Sequence, residues 1–231
     1  MTPPAARPPV RVLVVDDQPL MRCGLRGLID TFPDFETVAE AASGAEAVDR
    51  CRELRADIAV VDLRMPGMDG AECTARLLEL PEPPKVLLLT GFPLDGRTLG
   101  SLASGAAGLL GKDLRPAELA AVLRSVAAGT GVVSSDVLSL LLTRQEESTG
   151  MGQQRARELL TRLSASEQRV LALVGSGMTN DQIADRLGLS GASVKTYVSR
   201  ALAKLGLENR TQAALIVFEA GLSAEPWESG G

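Results

Sequence analysis

The sequence predicts an α/β doubly wound sheet of five parallel strands, followed by an all-helical domain of four helices that holds a helix-turn-helix. Three observations point there. Over residues 10–130, short apolar runs alternate five times with amphipathic stretches, the pattern of a parallel sheet covered by helices on both faces. Polar residues stand at the carboxyl ends of the runs, namely Asp16-Asp17, Asp62, Thr90 and Lys112. From residue 163 onward the apolar spacing is helical throughout, and two of the helices join through a short turn containing glycine.

Taken in order, residues 10–15 read VRVLVV, a β-branched run of the kind buried on both faces of a sheet. It stops at the acidic pair, and a helix starts near Pro19 with Leu20, Leu25, Leu28 and Ile29 as its apolar residues. A strand over 36–40 follows, then a helix over 44–54 with Ala45, Val48 and Leu54 on one side. Residues 57–61 form a buried strand ending at Asp62, and RMPGMDG turns the chain at Pro66, Gly67 and Gly70. The next helix covers 71–80 and is stopped by PEPP; a fourth strand covers 85–89 and ends at Thr90-Gly91. A Gly-interrupted helix over 94–104 precedes a fifth strand at 107–110, which ends near Lys112. Pro116 opens a helix to about residue 128. Right-handed crossovers then give a doubly wound sheet, and the flavodoxin-like order 2-1-3-4-5 suits five strands.

Residues 131–158 read as a linker, in which VVSSDVLSLLLTR allows one short helix and QEESTGMGQQ a flexible connector. Helices are expected over 164–176, 179–187, 190–205 and 211–221. The Pro-rich residues 1–9 form a disordered arm and 223–231 a flexible polar tail. The two domains are therefore 10–130 and 159–222.

Composition narrows the function before any motif does. The chain of 231 residues contains no histidine, which excludes Ser-His-Asp and Cys-His catalysis and histidine metal ligation from any single-chain site. Three cysteines without CxxC spacing exclude a closed disulfide framework and a cysteine-rich zinc site, and fit a reducing compartment. No stretch reaches the roughly 18 apolar residues of a membrane span, so a soluble cytoplasmic protein without membrane contact is expected. Net charge is −5, yet the charge is uneven: residues 1–135 carry 14 basic and 18 acidic side chains, residues 159–222 seven and five. A basic patch in the second domain is hidden by the average.

In a doubly wound sheet the carboxyl ends of the strands share one edge, where ligands bind. Carboxylates crowded there repel one another unless a cation neutralises them. Mg²⁺ suits such a site as a hard ion taking oxygen ligands and a phosphate, and a metal-assisted aspartate can attack a phosphoryl donor. Lys112 can then pair with the phosphoryl oxygens, and the Thr90 hydroxyl can donate to them. In their order and spacing, VVDDQP, DLRMPGMDG, LLLTG and GAAGLLGK resemble the receiver domain of two-component response regulators. The resemblance implies Asp62 as phosphoacceptor. It implies Asp17, Asp62 and the Arg64 backbone carbonyl as Mg²⁺ ligands, with Asp16 assisting through water. It makes Thr90 the switch hydroxyl and Lys112 the phosphate-contacting lysine. One departure stands out: Leu109 occupies the position where the family usually has an aromatic switch residue. Leucine offers neither the ring nor a phenol hydrogen bond, so a weaker gain on phosphorylation is expected. Gly111 adds flexibility beside it, and Gln18 stands where relatives often carry histidine.

In the second domain, Ala184, Gly188 and Val194 are spaced four and six apart. Ala184 lets a second helix cross closely, Gly188 permits the positive φ of a tight turn, and Val194 packs the second helix back on the first. Ser190 is a sound N-cap, and free N–H groups there can hold a DNA phosphate. The run from LSASEQRVLALV to TQAALIVFEAGL is similar to the LuxR-type domain of NarL/FixJ regulators. That resemblance implies four helices with 190–205 in the major groove. It places base contacts at Lys195, Thr196 and Ser199, and backbone contacts around Thr179, Ser190, Ser193, Arg200, Lys204 and Arg210. Lys195 can donate to guanine, and the Thr196 methyl can meet a thymine methyl. Tyr197 replaces the more usual histidine. Leu215, Ile216, Val217 and Phe218 read as core plus a dimer face, or as core alone.

Together the halves imply a phosphorylation-controlled transcription regulator and not an enzyme. Its partners are a sensor histidine kinase and promoter DNA, its cofactor is Mg²⁺, and a homodimer is the active form. Two other classes stay open: a constitutive DNA-binding regulator whose receiver only dimerises, and a signalling adaptor or phosphate sink acting through protein contacts.

Overall fold

The computed structural model describes residues 8–91, 102, 104–113, 115–129, 132–133 and 150–222. The helix expected over 94–104 falls almost wholly outside them, as do residues 1–7 of the arm, the tail from 223, and the linker helix beyond 133.

The sheet contains β1 (Val10–Val15), β2 (Phe35–Ala41), β3 (Ile58–Asp62), β4 (Lys85–Thr90), β5 (Gly108–Gly111) and β6 (Val132–Val133). Its order is β2-β1-β3-β4-β5-β6. The first five strands follow the expected 2-1-3-4-5, and β6 is an addition: two residues pairing in parallel with Gly108 and Leu109. A strand of two residues is too short for any period to announce it. The middle of the sheet is apolar on both faces, because helices cover both. Val12–Val15 and the whole of β3 are buried, and β1 pairs in parallel with β2 on one side and β3 on the other.

The crossovers are α1 (Pro19–Ile29), α2 (Gly44–Leu54) and α3 (Gly70–Leu78), with α4 (Pro116–Ala127) following β5. Local chemistry starts α2 and α3: the Ser43 hydroxyl and Asp69 carboxylate accept the N–H groups of Glu46 and Glu72, filling donors a helix start leaves open. The thiols of α2 and α3, Cys51 and Cys73, are buried, and burial pushes Cys73 up to about 12. The first helix is different. Gln18 provides no side-chain cap, only Ile29 is buried, Cys23 is exposed, and Leu20 is 86% exposed.

The later part of the chain forms α5 (Gly150–Leu160), α6 (Ala165–Gly175), α7 (Asn180–Leu187), α8 (Gly191–Leu205) and α9 (Arg210–Glu219). The connector expected through residue 154 is corrected at its end, since 150–154 are already helical; the four helices expected beyond it are α6 to α9, and α5 precedes them. The cause is visible in the packing. Ala156 and Leu160, one helical turn apart, join Leu163, Leu171, Ala201, Leu205, Ala213 and Val217 in one apolar cluster. Arg157 Nε donates to the Ala220 carbonyl at 2.8 Å. A second cluster holds Val170, Leu173 and Val174 of α6 against Ile183, Val194 and Val198. A Cβ on Gly175 would fall 2.4 Å from Val217 Cγ1, so α6 and α9 meet where no side chain fits.

Contacts gather the described residues into two compact units, one of 8–91 with 110–127, the other of 102–109 with the described part of 128–222. Within the second, Thr211 Oγ1 donates to the Ala107 carbonyl at 2.8 Å and Asn209 Nδ2 to the Gly105 carbonyl at 2.6 Å. Among the described residues, no helix is long and apolar enough to cross a membrane.

Candidate functional site

β1 ends by delivering Asp16 and Asp17, and β3 delivers Asp62, to the carboxyl edge of the sheet. One carboxylate oxygen from each lies within 4.8 Å of the other two. Asp16 is wholly buried and Asp62 is 4% exposed. Their neighbours are largely fixed by backbone: Gln18 N–H donates to Asp16 Oδ1 at 2.9 Å, and Arg64 N–H reaches Asp62 Oδ1 at 3.4 Å. α3 begins almost on top of Asp62, since a Cβ on Gly70 would lie 2.6 Å from the Asp62 carbonyl oxygen. Lys112, just past β5, places Nζ 2.7 Å from Asp16 Oδ2 and 2.9 Å from Asp62 Oδ2. Its own N–H donates to the carbonyl of Thr90, a residue 3% exposed at the end of β4, at 2.7 Å.

Three carboxylates here face one ammonium. Burial raises the Asp62 carboxyl above its ordinary value against the pull of Lys112, and Asp16 raises it further. Burial draws the Lys112 amine down, but its bonds to Asp16 and Asp62 outweigh that and leave it raised. Burial leads the rise at Asp62, whereas the rise at Lys112 comes from the two acids that share its one positive charge. Asp17 Oδ1 is buried with no hydrogen-bond partner, a costly state for a carboxylate oxygen. An all-oxygen donor set, one of whose atoms lacks a partner, fits a small hard cation such as Mg²⁺.

The helix-turn-helix is α7, a turn at Gly188 and α8. Gly188 closes α7 in the left-handed region, φ +63°, which glycine adopts without the steric cost a Cβ brings. Thr179 caps α7 reciprocally with Gln182, and the Ser190 hydroxyl caps α8 by accepting the Ser193 N–H at 3.1 Å. Val194, Val198, Ala201 and Leu205 face inward, while Lys195, Thr196, Ser199 and Arg200 are exposed. The two remaining cations have partners within the domain, although Lys204 itself is exposed. Lys204 Nζ pairs with buried Glu167 at 2.7 Å. Arg210 is 8% exposed, donates to Asn180 Oδ1 at 2.7 Å and to the Met178 carbonyl, and burial pulls it down to about 10. Expected as a DNA backbone contact, Arg210 has its guanidinium tying the approach to α7 to the start of α9 in this structure.

Residues 12–124 match the response regulator receiver domain, and residues 161–217 match the bacterial regulatory proteins of the luxR family. The chain is 37% identical over 217 residues to the DNA-binding transcriptional activator DevR/DosR of Mycobacterium tuberculosis, covering 94% of this chain and 98% of that protein. The chain belongs to the LuxR-type response regulators. The transcriptional regulatory protein LiaR of Bacillus subtilis is 34% identical over 89% of this chain and 95% of its own. Among solved structures, the response regulator ChrA of a heme-sensing two-component system is 32% identical and covers 93% of this chain and 98% of its own, with a TM-score of 0.52.

In this response regulator Leu109 is fully buried in β5, so the side chain at the unusual position is part of the core. Some residues of the pocket and the domain escaped the sequence reading. Arg22 Nη1 donates to the Asp16 carbonyl at 2.8 Å and the same guanidinium approaches Glu40 at 3.7 Å, a contact no local pattern announces. Glu167 had a readable signal, because Ser164 three residues before it makes an S-x-x-E capping box.

Proposed function

We propose that this chain is a phosphorylation-controlled, DNA-binding transcriptional regulator in which Asp62 accepts a phosphoryl group from a sensor histidine kinase. The observation that carries the reading is the pocket: three carboxylates within 4.8 Å, with Lys112 Nζ 2.9 Å from Asp62. Asp62 Oδ attacks phosphorus as the P–N bond of the kinase phosphohistidine breaks, and the imidazole leaves carrying a proton. Asp16, Asp17, Asp62 and the Arg64 carbonyl are the groups to hold Mg²⁺, which when bound neutralises charge on the transferring phosphoryl oxygens. Lys112 pairs with those oxygens and the Thr90 hydroxyl donates to them. On α8, Lys195, Thr196 and Ser199 read bases while Thr179, Ser190, Ser193 and Arg200 meet the backbone. A homodimer then sets two copies of α8 about one turn of DNA apart. The relative described as a DNA-binding transcriptional activator supports this reading, and the cytoplasm, where kinase and promoter meet, is the expected compartment.

One observation favours a second reading. Leu109, buried and without a ring, supports a constitutive regulator whose receiver serves only to dimerise. A mobility shift on genomic fragments separates the two, with wild type and Asp62→Asn each run with and without Mg²⁺ and an acyl phosphate. The switch predicts that the donor lowers the wild-type protein concentration needed and leaves Asp62→Asn unmoved. Equal binding in all lanes establishes the constitutive form. Salt-sensitive binding weakened by Lys195→Ala excludes an adaptor acting through protein contacts alone.

A further inference from the structure

α8 has no acid of its own in its first turn, although the open N–H groups and the dipole at a helix start favour negative charge there. The neighbouring helix provides one. Asp181 is the second residue of α7 and is exposed, and it reaches the first residue of α8: a Cβ on Gly191 would lie 3.6 Å from its Oδ1. Thr179, two residues before it, caps α7, and the Ser190 and Ser193 hydroxyls bond to each other at 2.8 Å at the start of α8. Those three hydroxyl residues are the ones proposed to meet the DNA backbone, and the carboxylate stands in their neighbourhood. Among the described residues no cation pairs with it, Lys204 being held by Glu167 and Arg210 by Asn180 and Met178.

We propose that Asp181 is an affinity-limiting residue of the DNA contact, whose charge takes the place at the start of α8 where a phosphate would settle and so weakens binding to duplex DNA of any sequence. The proposal rests on the reading of α8 as the DNA-binding helix. Its weight follows from the small number of charges involved. Against one anion, α8 presents Lys195 and Arg200 as its two cations without an acidic partner, and a phosphate at the helix start lies well inside the Debye length of about 8 Å at physiological salt. Phosphates are alike under every base pair, so the repulsion leaves base reading to Lys195, Thr196 and Ser199. Binding held by phosphates alone, which is the sequence-independent kind, loses most in proportion. In the free protein the same carboxylate complements the positive end of α8, so the charge that opposes DNA also suits the fold.

The test is the anisotropy of a fluorescent duplex of mixed sequence titrated with the full chain, with Mg²⁺ and an acyl phosphate present throughout. Wild type is compared with Asp181→Asn, Asp181→Lys and Glu158→Gln, the last removing one exposed acid from α5 of the same domain. At low salt Asp181→Asn is expected to bind about three- to tenfold more tightly than wild type, and Asp181→Lys more tightly still. The gain is expected to shrink as salt rises, because screening removes the same repulsion that the substitution does. Glu158→Gln is expected to stay close to wild type. Equal or weaker binding by Asp181→Asn overturns the proposal, as does a gain that salt leaves unchanged or one that Glu158→Gln reproduces, which would make net charge the cause. Each of these outcomes leaves the DNA-binding reading intact, whereas absence of binding by all four proteins at low salt overturns that reading too. The side chain is exposed, so the fold tolerates its replacement, and a loss of folding would weaken binding, the opposite of the expected result.

Discussion

Glu167 accepts from Lys204 Nζ at 2.7 Å, from the Ser164 N–H at 2.8 Å and from the Ser164 hydroxyl at 2.9 Å. With Lys204 as the largest cause, these bonds hold its carboxyl down at about 2. An acid depressed in the folded state contributes stability that is present above its unfolded value, about 4.3, and is lost as pH falls through the folded one. Denaturant midpoints measured from pH 5 to pH 2 should therefore fall in wild type and lose that component of the fall in Glu167→Gln, which starts from a lower midpoint at pH 7. The same pair bears on DNA. Each phosphate neutralised contributes nearly one to the salt dependence of binding. Arg200→Ala should lower the slope of log K against log salt by about one, while Lys204→Ala, whose charge is already paired with Glu167, should leave the slope nearly unchanged and lower domain stability. A slope change of about one for Lys204→Ala would show that DNA draws this lysine away from its acid.

Capping chemistry decides where several elements begin, and its cost is measurable. Ser164→Ala and Thr179→Ala each remove one half of a reciprocal capping box and should destabilise by about 1 kcal/mol, read from urea unfolding. Where such local chemistry exists, the element was legible in advance: α2 begins behind Ser43 and covers the stretch anticipated, and β3 shows as an uninterrupted apolar run ending in aspartate. The acids of the pocket were legible for a related reason, since each stands at the carboxyl end of a buried apolar run. Other elements depend on tertiary context that the local sequence does not contain. The polar half of α5 reads as connector, and only its packing through Ala156 and Leu160 makes it a helix of the domain. Leu20 falls on the apolar side of α1 by spacing, but periodicity names a stripe and not what lies against it, and the structure leaves this leucine exposed. The ion pair of Lys112 with Asp16 spans 96 residues of sequence, so it follows from the crossovers and not from any spacing.

At the scale of the molecule, the helical domain extends earlier along the chain than its family match at 161–217, because α5 closes one of its two apolar clusters. A fragment beginning at residue 161 should be less stable than one beginning at 150, by about 2 kcal/mol or more for the loss of Leu160 burial alone, measured by thermal or urea unfolding of the two. The uneven charge has a similar large-scale meaning. Two of the four cations between residues 191 and 210 are paired within the domain, so the positive charge of α8 open to DNA without breaking such a pair rests on Lys195 and Arg200, and association with DNA should be correspondingly sensitive to either.

The three thiols differ in a way that offers a practical handle. Cys51 and Cys73 are buried with raised pKa values, whereas Cys23 lies exposed on α1, and nucleophilic attack by sulfur requires access and thiolate. A maleimide fluorophore should attach to the native protein once per chain, at Cys23, and three times after denaturation, as counted by intact mass. The protein thus has a natural single attachment point one helical turn beyond Pro19, a place from which an optical reporter can follow events at the acidic pocket without any engineered cysteine.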